Sequence, residues 1–526
     1  MEQSQRYRPT YHTFVESLIR SGYANLKYLD RDILHDRFVF EAGCTIVQFG
    51  HDGKITESRT ASKADFIPSP TGTQRRLFIL QGECASLVNQ IGEALDIEPE
   101  FFADHLRAVT WEHHNDKTNN HMLPSVRRGA HFWTLQYFEP VQLEGHFGLS
   151  RTQLRHGGLL RRMIIRNPDK DQPGSYSVGL VTRFMSFWHR RHDNGSFDAV
   201  LLIDPPLENP LEFKVDRSDK PYKTMSTSWR PYGGGYTNFA MLHKRKSLIK
   251  LSPSTDTSHS GCLKEDLIWK LRHASLFVTT EDNVERVSII LQKIALSNWL
   301  LSLAFLWRDF SSIHLEYLTD EDIPMDKVQF VLQDIDSSRS LLNRCILTTR
   351  RNLFQLGIKP SDENYYTSWH HKDADDQQLL VADWSFLFQE LKSWAEDTER
   401  LVNTRMLNLQ VFDAKRSQKV SELSQEMAWR SMLDSRQMNT LTRLGQVLLL
   451  VFTPAGMAYG ILSMPGDFAP GRGRFWVFFA VAVPLCLITM TTAWLFIRAT
   501  SPDIEISHGI PEKRYNRHRS DSLAKR

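Results

Sequence analysis

The sequence predicts an α+β domain followed by long helices and two C-terminal helices that cross a membrane. Three observations carry this. Leu444 to Met464 (LGQVLLLVFTPAGMAYGILSM) and Phe475 to Ile497 (FWVFFAVAVPLCLITMTTAWLFI) contain no charged residue. From Ser361 to Leu444 there is neither glycine nor proline, an unusually long helix-permissive stretch. Before residue 208, short β-branched and aromatic runs are bounded by Gly, Pro, Asn and Asp, the mark of strands.

With 526 residues the chain is too long for one ordinary domain. A formal charge of +3 gives no basic face of the kind nucleic acid demands, so no nucleic-acid partner is expected. The cysteines (Cys44, Cys84, Cys262, Cys345, Cys486) are scattered and never spaced CxxC, which argues against a disulfide framework or a thiolate zinc site. The opening MEQSQRYRPTYHTFVESLIR has no apolar core of signal-peptide length, so the N-terminal part is expected to stay where it is made.

In chain order, residues 1–74 form an N-terminal extension and 75–208 a mixed α/β domain. The latter holds a helical segment, CASLVNQIGEALDIEPEFFADHL, and strands in HFWTLQYFEPVQL, LLRRMIIRN, SYSVGLVTRFMSFWH and FDAVLLIDPP. Residues 209–262, with YGGGY and SPSTDTSHSG, read as an irregular insertion or linker. The region 263–374 holds two stretches without glycine or proline, Leu263–Ile323 and Met325–Leu356, each read as a long helix. The apolar centre SIILQKIALSNWLLSLAFLW contains Lys293 and is expected to pack inside the protein rather than form a third span.

Residues 375–443 read as a stalk helix. Leu380, Trp384, Leu387, Leu391 and Trp394 alternate steps of four and three, as do Val420, Leu423 and Met427, the seam spacing of packed helices. Before residue 400, two or three shorter helices fit the pattern equally well. The membrane helices follow at 444–464 and 475–498, joined by an external loop, 465–474, and closed by a basic tail, 499–526. Each span extends roughly 30 to 35 Å, enough for a hydrocarbon core. Each carries one proline, Pro454 or Pro484, which membrane helices tolerate. Arg436, Arg443, Arg498 and the Lys/Arg-rich tail place both ends in the cytosol, although the turn also carries Arg472 and Arg474.

The strings LTRLGQVLLLVFTPAG and SMPGDFAPGRGRFWVFFAVAVPL, with weaker echoes in EALDIEPEFFADHL, LPSVRR and LLIDPP, resemble the CorA-like divalent-cation (Mg2+) transporters, in their divergent fungal branch. The resemblance runs from about residue 75 to the end. It implies an α/β/α funnel-like cytosolic domain, a stalk helix that becomes the first membrane helix, and a homopentamer whose first membrane helices line one pore. It also implies passive conduction of a divalent cation, Mg2+ or a related ion. The family's Gly-Met-Asn, which opens the external loop and contacts the hydrated ion, is replaced here by Ser463-Met464-Pro465. Only the methionine remains, and the lost amide removes an acceptor suited to a strongly hydrated ion.

Asn439, Gln446, Thr453 and Gly460 stand seven apart, with Gly456 and Ser463 on the same side of the helix. Five such stripes would offer oxygens and amides to a partly hydrated cation. Small residues on one face are equally how membrane helices approach one another, and Gly456 and Gly460 suit that role. Asp467 in the loop would attract cations, but Arg472 and Arg474 offset it.

Elsewhere, WEHHNDKTNNH (His113, His114, Asp116, His121) holds metal-ligand residue types with no histidine pair at i, i+4. HHKDADD, His370 to Asp376, is either a cation-sensing carboxylate cluster or a solvated helix start. Gly233-Gly234-Gly235 reads as a turn. No GxSxG, HExxH or dinucleotide fingerprint is present, so no enzyme and no resident cofactor is expected. The expected partners are the bilayer, further copies of the chain and divalent cations. The plasma membrane is the expected location by resemblance, with vacuolar and mitochondrial placements open. Two alternatives stand beside transport: a membrane-anchored scaffold or regulator that kept the fold and lost conduction, and a membrane-anchored metal-dependent enzyme using the His113 region.

Overall fold

The computed structural model describes residues 10–27, 29, 43–66, 74–82, 85–106, 131–145, 147, 150–156, 159–166, 176–217, 220–236, 239, 262–318, 325–359, 375–463, 471 and 473–500. The chain divides into two compact units, Met1–Arg405 and Met406–Arg526.

The first unit is α+β, built on one mixed 11-stranded sheet. Its strands are β1 (Gly43–Phe49), β2 (Ile55–Thr60), β3 (Arg75–Gln81), β4 (Phe132–Leu143), β5 (Ser150–His156), β6 (Leu159–Arg166), β7 (Ser177–Arg191), β8 (Phe197–Ile203), β9 (Leu211–Arg217), β10 (Lys220–Thr227) and β11 (Trp229–Pro231). The main path runs β10-β9-β5-β6-β7-β8-β3-β1-β2, with β4 on β7 and β11 on β4. The β3–β8 pair is parallel and the other pairs are antiparallel.

Alternation along the strands gives the sheet two apolar faces. Leu77 and Ile79 of β3 and Ala199, Leu201 and Ile203 of β8 point one way; Phe78, Leu80, Val200 and Leu202 point the other. Four helices cover the first face: α4 (Leu263–Arg272), α5 (Asn283–Leu318), α6 (Met325–Gln355) and the start of α7 (Asp376–Leu462). They contribute Leu267, Trp299, Cys345, Trp384, Leu387 and Leu391 to that core. The second face is covered by α1 (Tyr11–Arg20), α2 (Ala85–Leu95) and α3 (Pro99–Leu106) through Tyr11, Val15, Ile91, Phe101 and Phe102.

Two features of this unit differ from the sequence reading. The sheet extends past residues 75–208 at both ends, since β1 and β2 lie in the 1–74 extension and β9, β10 and β11 lie in the 209–262 insertion. LEFKVDR does alternate apolar and polar residues, but the Ser/Thr/Gly/Pro content of its surroundings masked that period. Second, Leu263–Ile323 is not one helix. It breaks after Arg272 and restarts at Asn283, where Asp282 Oδ1 accepts from the amides of Val284 (2.8 Å) and Glu285 (3.3 Å), satisfying otherwise unpaired N–H groups. As the sequence reading expected, α5 packs inside the protein, and α6 joins it on the sheet. Asn352 of α6 accepts from Gln136 N (3.1 Å) and donates to Gln136 O (2.8 Å), pairing with the β4 backbone as a neighbouring strand would.

Gly92 sets how α1 docks. A Cβ there would lie 2.6 Å from the Tyr11 ring, whose hydroxyl donates to Ile97 O at 3.0 Å. Gly92→Ala is therefore expected to displace Tyr11 and cost about 1–3 kcal/mol, read as a lower Tm of the full chain.

Among the described residues, two helices contain a stretch long and apolar enough to cross a membrane, Asn283–Ser311 (mean hydropathy 1.6) and Asp413–Gly460 (mean hydropathy 1.3). The sequence reading kept the first inside the protein because of Lys293, and burial bears that out. Asn283–Ser311 is the core helix α5, with Ile290, Ile294 and Trp299 fully enclosed and Lys293 Nζ donating to Phe277 O at 3.2 Å. In Asp413–Gly460 the large side chains stand exposed, Leu449, Phe452 and Tyr459 each by more than 60 %. A further helix, α8 (Trp476–Thr500), contains the shorter apolar stretch Trp476–Thr492.

Candidate functional site

The apolar end of α7 carries three different faces, placed by the 3.6-residue turn of a continuous helix. Leu441, Leu444, Leu448, Phe452 and Tyr459 are exposed and fall within an arc of roughly 80°. Pro454 and Ala458 are buried, as is Ala482 of α8; small residues there permit close approach. Asn439, Gln446, Thr453 and Gly460 are exposed on a third face, centred roughly 140° from the bulky one, which also carries exposed Met457 and, at its edge, Leu449. Gly456 and Ser463 are exposed at its edge. Met464, Pro465 and Asp467 lie outside the described residues.

The stripe's hydroxyls are oriented by the helix itself. Thr453 Oγ1 donates to Leu449 O (2.5 Å) and Ser463 Oγ to Gly460 O (3.1 Å). Each proton is thus directed along the helix, leaving oxygen lone pairs for an outside donor or cation. Pro454 has no N–H to offer the Leu450 carbonyl, and position 450 lies beside Gln446 and Thr453 on the helix surface. The sequence reading noted that each proline frees a carbonyl; the continuous helix places this one beside the stripe. A feature read only from the structure is the spacing of α8's exposed tryptophans, Trp476 and Trp494. They stand roughly 27 Å apart along the axis, and Arg498 lies 5.1 Å from the Trp494 ring.

Among the described residues, no group of three or more His, Cys, Asp or Glu side chains could hold a metal ion. His113, His114, Asp116 and His121 lie outside them, as does His370. Asp376 is not the solvated helix start that the sequence allowed. It is 1 % exposed, and its Oδ2 accepts from Thr279 N (2.5 Å), Thr279 Oγ1 (2.7 Å) and Thr280 N (2.9 Å). Burial pushes its carboxyl up, but these hydrogen bonds outweigh burial and hold it below the ordinary carboxylate range. Gly233-Gly234-Gly235 is a turn, as read, with φ of 61°, 82° and 99°.

The first unit also buries a charged network where β6 and β8 share one edge of β7. The opposite edge of β7 pairs with β4 throughout, while β6 pairs with residues 178–181 and β8 with 185–191. At the junction Asp204 accepts from Phe184 N (3.1 Å) and from Arg161 Nε (2.9 Å) and Nη2 (2.7 Å). Arg183 pairs with Glu139 at 2.8 Å and donates to Pro205 O at 2.7 Å. His105 lies 3.5 Å from Asp204 and 3.0 Å from Ser186 Oγ, an order reminiscent of a Ser-His-Asp triad. Ser186 is fully enclosed, however, and donates to Thr134 Oγ1 at 2.9 Å, so its oxygen has no open side for a substrate. These groups replace strand hydrogen bonds at a seam in the sheet.

No protein-family model matches the chain, and no curated protein matches it.

Proposed function

We propose that the chain is a CorA-like membrane protein that assembles with copies of itself, as a pentamer, and conducts a divalent cation, Mg2+ or a related ion, through a pore lined by the end of α7. The single observation that carries this reading is that one helix bears a bulky apolar arc, a small buried face and a stripe of Asn439, Gln446, Thr453 and Gly460 interrupted by Met457. A helix facing lipid, a neighbouring helix and water needs those three surfaces. Exposed apolar side chains earlier in the same helix, Val420, Leu423, Met427 and Met438, share one face and supply a seam for self-association. In this reading α7 and α8 are the two spans and the tryptophans of α8 sit at the two membrane surfaces. Both termini are cytosolic and the first unit contributes to a funnel at the plasma membrane. No covalent chemistry is involved.

Flux into reconstituted vesicles tests it. Gln446→Leu and Thr453→Leu are each expected to lower Mg2+, Co2+, Ni2+ or Zn2+ flux by about tenfold, since each removes a ring of oxygens from the pore. Leu448→Ala, on the bulky arc, should leave flux near the parent value.

Ser463-Met464-Pro465 in place of Gly-Met-Asn favours a second reading, a transport-inactive membrane-anchored scaffold or regulator with the same architecture. A confirmed pentamer that passes none of the four ions selects that reading.

A further inference from the structure

The first unit contains a cavity of about 90 Å³ at the meeting of α5, α6 and α7, away from the polar stripe in sequence and chemistry. Its walls include three aromatic side chains, Trp307, Phe310 and Trp394, and two carboxylates, Asp309 and Asp397. Ser338 lies on the same wall, and its buried Oγ makes no hydrogen bond within the protein. Among the described residues, no lysine, arginine or histidine lines the cavity.

We propose that this cavity binds a small organic ammonium ion. Aromatic faces attract a cation through their quadrupole, and most strongly when it sheds little water on entry, as an alkylated ammonium does. Asp397 supplies the countercharge. A bare divalent metal ion is a poor match, because the described residues provide no cluster of three or more ligating side chains. Asp397 pairs with Arg400 Nη1 at 3.5 Å. That pair is more than half exposed on both sides, so the arginine is free to turn into solvent at little cost. Trp307 is 58 % exposed, an indole whose face a ligand can cover. The volume suits a group the size of a trimethylammonium head. An occupant touches all three helices at once, so its binding adds to the packing of α7 against α5 and α6. This inference stands whether or not the chain conducts ions.

The test uses choline and its neutral isostere 3,3-dimethylbutan-1-ol, measured by equilibrium dialysis or calorimetry. The full chain is purified in a maltoside detergent, which carries no choline headgroup. Saturable binding of one choline per chain is expected, weakened at least about tenfold in both Trp307→Ala and Asp397→Asn, with no binding of the alcohol. Both substituted side chains are exposed, and an unchanged Tm confirms that each variant folds. The proposal is overturned if choline does not saturate at millimolar concentration, if the alcohol binds as well, or if either folded variant binds choline like the parent.

Discussion

Asp204→Asn is expected to destabilise the first unit by about 3–5 kcal/mol, the cost of breaking a buried ion pair from one side. The Arg161 guanidinium is 2 % exposed and the Asp204 side chain equally enclosed, so water cannot replace the lost charge. Asparagine would also turn an N–H₂ donor toward a site where Phe184 N and Arg161 are both donating. Replacing the pair with apolar side chains, as in Arg161→Met with Asp204→Leu, should recover a large part of that loss. A buried ion pair often exceeds an apolar pair little in net stability. Thermal or urea unfolding of the full chain measures both, and a loss below about 1 kcal/mol for Asp204→Asn would falsify the role given to the network.

The same groups make the unit acid-sensitive. Burial, helped by Arg161 and Arg183 and opposed by Asp204, lowers His105 from its ordinary 6.5 to about 3. Burial raises Asp204, but Arg161 and Arg183 overcome it and hold the carboxyl at about 2. For both groups the unfolded chain binds the proton more readily. The stability due to His105 is therefore complete above pH 6.5 and is lost as pH falls toward 3; that due to Asp204 is lost from 3.8 downward toward 2. Each group contributes a slope of at most about 1.4 kcal/mol per pH unit. His105→Gln should flatten the fall between pH 6 and 4 while leaving the steeper part below it, a comparison that a series of melting curves makes directly.

Asp376→Ala is expected to cost about 2–4 kcal/mol, because one carboxylate oxygen satisfies three donors, Thr279 N, Thr279 Oγ1 and Thr280 N. Alanine leaves two backbone amides of the α4–α5 connection without a partner, and hydrogen exchange in peptides covering residues 274–285 should speed up. Asp376→Asn keeps an acceptor oxygen and should lose roughly half as much. Unchanged exchange in Asp376→Ala would show that the connection is held by other contacts, with Asp376 a bystander at the start of α7.

Much of this architecture was legible before any coordinates. The absence of glycine and proline from Ser361 to Leu444, with the steps of four and three through Trp384, Leu387 and Leu391, marks a long packed helix. The strands β4, β6, β7 and β8 announce themselves by β-branched and aromatic content between turn residues. The other seven, β1, β2, β3, β5, β9, β10 and β11, escaped notice; β9 and β10 lie in a segment whose average composition suggests irregular chain. The stripe Asn439, Gln446, Thr453 and Gly460 is a sequence feature, since spacing alone puts those residues on one side of a helix. The network around Asp204 left no such trace. Its members come from α3, β4, β6, β7 and the end of β8, and nothing in the spacing of His105, Glu139, Arg161, Arg183 and Asp204 marks them as neighbours.

The sequence by itself determined the long helices, four of the strands and which stretches are apolar enough for a bilayer, because these follow from local periodicity and side-chain transfer energies. Tertiary structure alone decided what each apolar surface meets. Asn283–Ser311 is spent on the sheet of the first unit, whereas the large side chains of Asp413–Gly460 remain uncovered. Burial depends on contacts between residues far apart in the chain, and no local pattern carries that information.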